Sequence, residues 1–322
     1  MAFSRFGIIG NFKRRLSVST VLVVLCALTF FTFMRFSIEF TGGLQLILNA
    51  EPLTDLQEQR IQEGLLAQGF LLSEIGLGSK DGYPTLLLQT SLDSADEIST
   101  VTQNVEGLLI EERIIASQDD VLEQSVIGPS VGDYVTRSAL NALLLGMVFM
   151  GVYILFAFAS MRDFISPPLL AGITIITIIF DILIPAGAYG VLMAMNQAAQ
   201  VDVIFIIALL TIMGYSINDT IIILDRVREN FLLSKDAIMS GKLSRLQVFE
   251  DSVWQTMKRS IGTSLTTFLV VVVMFVFGTG VLKLFAFVLG FGVLAGSFSS
   301  IFLAAPLAYL LSGKENIADI RK

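Results

Sequence analysis

The sequence predicts an α-helical polytopic membrane protein: six transmembrane helices, with one α+β domain held outside the cytoplasm between the first two. Three observations predict it. Six apolar segments, near 16–36, 138–159, 167–193, 201–224, 261–279 and 284–311, are long enough, or nearly so, to cross a hydrocarbon layer about 30 Å thick. The stretch 37–137 loses that character and is strongly acidic, and Lys and Arg gather on one side of the six segments. Composition agrees: 15% of residues are charged, against roughly 25% in soluble domains, so lipid rather than water surrounds much of this chain.

The first apolar segment follows Lys13, Arg14 and Arg15, as the core of a signal peptide would. It runs for about 20 apolar or small residues with no small-x-small cleavage site after it, so it reads as a retained span. Its Cys26 is the chain's single cysteine, so no intrachain disulfide is possible. Orientation follows from the basic residues. Arg5, Lys13, Arg14 and Arg15 precede span 1, Arg162 lies between spans 2 and 3, Arg226 to Arg259 fill the loop after span 4, and Lys314, Arg321 and Lys322 follow span 6. The alternate loops hold no Lys or Arg between spans 3 and 4 and Lys283 alone between spans 5 and 6. The positive-inside rule then makes both termini cytoplasmic. Four regions result: 1–36 as N-terminus and first span, 37–137 as the outer domain, 138–311 as the other five spans with a cytoplasmic loop at 226–260, and 312–322 as a cytoplasmic tail.

Residues 37–137 hold 17 acidic residues against four basic ones, a net charge of −13. Their pattern reads strand 38–48, helix 52–68, strand 71–77, a Lys80-Asp81-Gly82 turn, strand 84–90, helix 94–110 and strand 113–126. The turn is of the hairpin kind, and Asp93-Ser94 followed by Glu97 marks a capped helix start. The order β-α-β-β-α-β is the split, ferredoxin-like arrangement, which needs neither disulfide nor metal. Its acidity fits a surface for a passing partner or plain solubility. In the loop 226–260, Phe231, Ile238, Leu243, Val248 and Val253 recur at helical spacing with basic residues between them. Two readings stand: an amphipathic helix on the inner membrane surface, or a helical hairpin capping the bundle.

Carboxylates inside spans are costly and face the bundle interior. Asp181 sits near the middle of span 3 and Asp219 in the inner half of span 4, whereas Asp202 is at an interface. Tyr215 and Ser216, four and three residues before Asp219, share its helix face, and Asn218 adjoins it. At the head of span 5, Arg259, Thr263 and Thr267 form an i, i+4, i+8 stripe that could meet Asp219 across a helix interface. Burial disfavours the charged form of a carboxyl, and a nearby Arg or hydroxyl favours it. A carboxyl pulled both ways can exchange a proton when water access switches sides. The chain has no histidine, the usual proton carrier near neutral pH, so carboxyls are the side chains left for that role. The alternative is a neutral, hydrogen-bonded carboxyl that only holds helices together. Gly292, Gly296 and Ser300 in span 6, at i, i+4 and i+8, allow close helix packing. Phosphate loops, metal-ligand sets and nucleophile motifs are absent, so nothing suggests an enzyme, a metal or a nucleic-acid partner.

The stretch GYSINDTIIILDRVREN (214–230) closely resembles the signature of the SecF family of bacterial protein-export subunits, within the RND superfamily. IEFTGG (38–43), VIGPSVG (126–132), an Asp in mid-span 3, RSIGTSLTTF (259–268) and FGTGVLKLFAFVLGFGVLAGSFSSIF (277–302) follow in the family's order, so the likeness runs from about residue 16 to 311. The resemblance implies a chain in the bacterial cell (inner) membrane that pairs with SecD, associates with the SecYEG channel and uses the proton-motive force to draw a translocating preprotein across, with protons as coupling ion and no other cofactor. It implies that Asp219 is the span-4 carboxylate regarded as proton-responsive, that Arg259 belongs to the same relay, and that Asp181 is the aspartate of a span-3 His-Asp pair. Here Phe180 stands where that histidine would be. RND-type transporters are built as two six-span halves, and this chain would be one half. Two other classes remain open: an RND-type proton-coupled exporter of small molecules or lipids, and a passive assembly scaffold.

Overall fold

The computed structural model describes residues 7–9, 12–71, 75–80, 83–89, 95–162, 164–195 and 199–311. Among them, six helices are long and apolar enough to cross a membrane. They are α1 (Phe12–Phe33), α5 (Pro129–Ala157), α6 (Pro167–Met195), α7 (Val203–Leu233), α9 (Arg245–Phe277) and the sixth, which is built in three pieces. That last span runs as α10 (Gly280–Ser299), a π turn (Ser300–Ala304) and α11 (Ala305–Leu311). Pro306 has no N–H to donate back into the helix, and the wider π turn just before it absorbs the missing bond.

Between α1 and α5 stands the small domain: a helical turn α2 (Ile38–Thr41), β1 (Gly43–Leu48), α3 (Asp55–Ala67), β2 (Ile75–Lys80), β3 (Tyr83–Leu88), α4 (Ala95–Glu111) and β4 (Val121–Ile127). The strands form one sheet in the order β2-β3-β1-β4, every neighbouring pair antiparallel. That is the ferredoxin-like order expected from the sequence. Period-two alternation turns Leu44, Leu46 and Leu48 of β1 and Leu86 and Leu88 of β3 onto Ile61 and Leu65 of α3 and Val105 and Leu109 of α4. Thr54 and Gln57 close a capping box at the start of α3. The expected 80–82 turn and the 93–94 helix start lie partly or wholly outside the described residues.

Two segments differ from the sequence reading, and a third is decided between its two readings. Residues 38–41 continue no strand. Ser37 Oγ accepts from the Glu39 N–H, Gly42 N–H donates to Ile38 O at 2.8 Å, and the turn closes as α2. Residues 113–120 are likewise no strand: Arg113 has φ 55°, and Asp120 Oδ2 accepts from the Ala116 and Ser117 N–H groups, folding the approach to β4 into a turn. Of the two readings of the loop 226–260, the structure has the helical hairpin. Helix α7 runs on to Leu233, α8 (Lys235–Met239) makes a short bend, and α9 begins at Arg245 behind a Ser244–Gln247 capping box. The result is a hairpin that caps the bundle, with Phe231, Val248 and Phe249 packed on Phe158 and Leu170. At 31 residues α7 is about 45 Å long, more than a bilayer core requires, and its C-terminal turns serve this hairpin.

Helices α6, α7 and α10 form the buried middle of the bundle, with α1 laid on α6, α5 against α6 and α7, and α9 against α7 and α10. One large apolar cluster, with Tyr189, Met193, Phe205 and Ile212, lies toward the small domain. Another, with Ile154, Phe158, Leu224 and Phe231, lies at the hairpin end. The buried polar side chains of the spans collect between the two.

Candidate functional site: two carboxylates in one polar layer

The layer is made where Asp181, Ser216, Asp219, Thr220, Ser260, Ser264 and Ser299 all lie buried at mid-bundle. Ser216 and Asp219 are three residues apart on α7, so they point about 60° apart and serve different neighbours. Ser216 turns to α6, where its hydroxyl donates to Asp181 Oδ2. Asp219 turns to α9, where Ser264 Oγ donates to Asp219 Oδ2 at 3.1 Å, and Tyr215 Oη donates in turn to Ser264 Oγ at 3.2 Å.

Asp181 is sealed in. It is fully buried, Ser299 of α10 stands close to it, and Phe180 beside it stacks on Phe298 at a centroid distance of 6.1 Å. One turn on, Pro185 lies inside α6 and cannot donate to the Asp181 carbonyl, which loosens the helix ladder at this carboxylate. The contact with α7 depends on space. A Cβ on Gly292 would overlap Ile212, and one on Gly296 would come within 3.1 Å of the Ser216 Cβ. The expected small-residue packing of Gly292 and Gly296 is thus what brings Ser216 to Asp181. Ser300 is buried in the π turn and donates to Ser297 O at 3.2 Å.

Asp219 is buried too, but at a seam. Asn218 and Gly214 beside it on α7, and Arg259, Ile261 and Gly262 on α9, are exposed on the face of this single chain. Arg259 acts on Asp219 through its charge. No hydrogen bond or ion pair joins the two among the described residues. Burying an ionised carboxylate costs several kcal/mol, and one hydroxyl donor offsets about 1.5–3 kcal/mol of that. Asp181 Oδ1 and Asp219 Oδ1 are buried with no hydrogen-bond partner among the described residues, as are Thr220 Oγ1 and Ser260 Oγ.

Several expectations are corrected here. Ser216 serves Asp181, not Asp219. Tyr215 reaches Asp219 only through Ser264. Asn218 faces outward and supports neither carboxylate within the chain. Thr263 and Thr267 do not meet Asp219: their hydroxyls donate to the Arg259 and Thr263 carbonyls of their own helix at 2.9 and 3.1 Å. The α9 face that meets Asp219 is Ser260 and Ser264, another i, i+4 pair in the same RSIGTSLTTF stretch. Ser299 and Pro185 were also missed, although a proline four residues after an intramembrane aspartate is visible in the sequence.

Comparisons with known proteins bear on the family and the fold of the chain. A family described as "Protein export membrane protein SecD/SecF, C-terminal" matches residues 111–314, more than half of the chain. The protein translocase subunit SecF of Endomicrobium trichonymphae is 30% identical over 93% of this chain and 89% of its own length. That of Synechocystis is 32% identical over 85% of this chain and 81% of its own. In three dimensions the chain is similar to the crystal structure of SecDF, a translocon-associated membrane protein from Thermus thermophilus, with TM-score 0.76 and 28% identity over 95% of this chain. It spans 38% of that longer chain. Near-full-length relatives and a match across most of the membrane bundle carry one conclusion: this chain belongs to the SecF family of protein translocase subunits.

Proposed function

We propose that this chain is the SecF half of a SecD–SecF pair that uses the proton-motive force to promote translocation of secreted proteins through the SecYEG channel. Membership of the family supports the role in export, and the longer SecDF relative, in which a region like this chain is joined to further sequence, supports the pairing with SecD. Both termini and the α7–α9 hairpin are assigned to the cytoplasm, and the ferredoxin-like domain to the other side. The coupling ion is the proton, with no other cofactor and no enzymatic step in the chain.

The observation that carries this reading is the seam at Asp219. A buried carboxyl there has one serine donor, the charge of Arg259 nearby, and an outward face open to a second half. Proton entry from outside neutralises Asp219 and weakens its attraction to Arg259 and to partner groups. Helices α7 and α9 then shift, and the outer domain follows. A unit charge crossing the full membrane potential supplies about 2.3 kcal/mol per 100 mV, comparable to the hydrogen-bond and desolvation differences at stake. Asp181 acts as the second carboxylate of the layer, fixing α6, α7 and α10 against each other through Ser216.

The test is export into inverted membrane vesicles. With Asp219→Asn the complex is expected to assemble at wild-type levels and to lose the stimulation of export by a proton gradient. Full stimulation in that variant overturns the reading.

A further inference from the structure

Beyond Asp219, the hairpin end of the bundle is closed by residues that precede α1. Ile8 and Ile9 are only 2% and 3% exposed. Ile8 packs with Ile223, Val253, Ile301 and Ala305, and Ile9 enters the neighbouring cluster around Phe158 and Phe231. The peptide unit between them is gripped at both ends. Arg15 Nη1 donates to the Ile8 carbonyl at 2.7 Å, and Glu250 Oε1 accepts from the Ile9 N–H at 2.7 Å. A buried peptide needs both groups satisfied; here a cation from α1 and an anion from α9 do it, and charge-assisted bonds are the strong ones. The Arg15 guanidinium also lies 5.2 Å from the Phe302 ring centroid.

The position of this strap relative to Asp219 gives it meaning. Ile223 is one turn beyond Asp219 on α7, toward the hairpin. Buried polar atoms without a partner among the described residues continue in that direction: Ser260 Oγ, then Trp254 Nε1, then Glu250 Oε2, all on α9. The apolar layer of Ile8, Ile223, Val253 and Ile301, on which Trp254 packs, stands between Ser260 and Glu250. A thin apolar constriction between polar sections stops water and protons until it widens. Ile301 lies in the π turn, where the helix ladder is already irregular.

From this geometry we infer that residues 7–9 are the inner gate of the proton pathway to Asp219, with Ile8 as the seal and Arg15 and Glu250 as the clamps that keep it shut. The inference rests on the proton-coupling reading of Asp219. Its test uses the full chain with its SecD partner in proteoliposomes, with a pH-sensitive dye and no protein being exported. Ile8→Ser is expected to dissipate a pH gradient several-fold faster than wild type, and Ile8→Ser/Asp219→Asn to return to the wild-type rate. No acceleration, or a leak that survives Asp219→Asn, overturns the gate. Should Ile8→Ser fail to assemble, Ile8→Cys in a Cys26→Ser background keeps the question open to measurement. Maleimide labelling from the hairpin side is then expected to be slow at rest and several-fold faster under a gradient, and equal rates overturn the gate. A failure of the Asp219 reading shows separately, as gradient-stimulated export that persists in Asp219→Asn alone.

Discussion

Asp181 and Asp219 share a layer of the bundle but not a neighbourhood. Asp181 is enclosed by three helices of its own chain, with Ser216, Ser299 and Phe180 around it. Asp219 lies one helix further out, between α7 and α9, where the neighbouring positions Asn218, Arg259 and Gly262 are exposed. Equal burial therefore hides unequal access. A partner half can touch the surroundings of Asp219 and change its proton affinity, while it can reach Asp181 only by moving whole helices. On the proposed function, that difference gives exchange to Asp219 and fastening to Asp181.

The largest expected effect breaks that pair apart. Asp219→Asn should abolish gradient-stimulated export, and Asp181→Asn, which can still accept from Ser216, should keep most of it. Equal losses in vesicle assays would erase the distinction. Next comes packing. Gly292→Ala drives a methyl into Ile212 and should cost about 1–3 kcal/mol, seen as a lower Tm of the purified complex. Gly296→Ala meets Ser216 less severely and should cost less, while weakening the Ser216–Asp181 contact.

Smaller again in its effect on export is Ser264→Ala, which removes one donor to Asp219, about 1 kcal/mol for the protonated carboxyl and about 1.5–3 kcal/mol for the ionised one. Export stimulation should fall without vanishing. Adding Tyr215→Phe should change little further, because both residues belong to one hydrogen-bond chain. The smallest effect belongs to Thr263→Val and Thr267→Val. Their hydroxyls serve their own helix, so stability should move by no more than about 0.5 kcal/mol and export not at all. A strong export defect in either would restore the threonine stripe to the site.

Apolar length and the β-α-β-β-α-β pattern made the six spans and the ferredoxin-like order legible, because each is a local or periodic property. Asp181, Asp219 and the glycine seam of α10 were legible for a related reason: a carboxylate or a run of small residues inside a span is conspicuous. What failed was azimuth. RSIGTSLTTF offers Ser260 and Ser264 as well as Thr263 and Thr267 at i, i+4, and only the rotation of α9 against α7 decides which pair meets Asp219. Ser216 failed in the same way, since a residue three positions from a carboxylate can face a different helix. The segment 226–260 stayed open between two readings because basic residues between apolar ones fit a membrane surface as well as a hairpin, and the buried faces of Phe231 and Phe249 exist only once the bundle has formed.

The central claim is that Asp219 gains and loses a proton as the gradient is applied. Infrared difference spectroscopy on the reconstituted complex measures this directly, through the C=O stretch of a protonated carboxyl. The account predicts a carboxyl band that responds to an imposed pH gradient, vanishes in Asp219→Asn and survives in Asp181→Asn. A band absent from the wild type, or unchanged in Asp219→Asn, would contradict it.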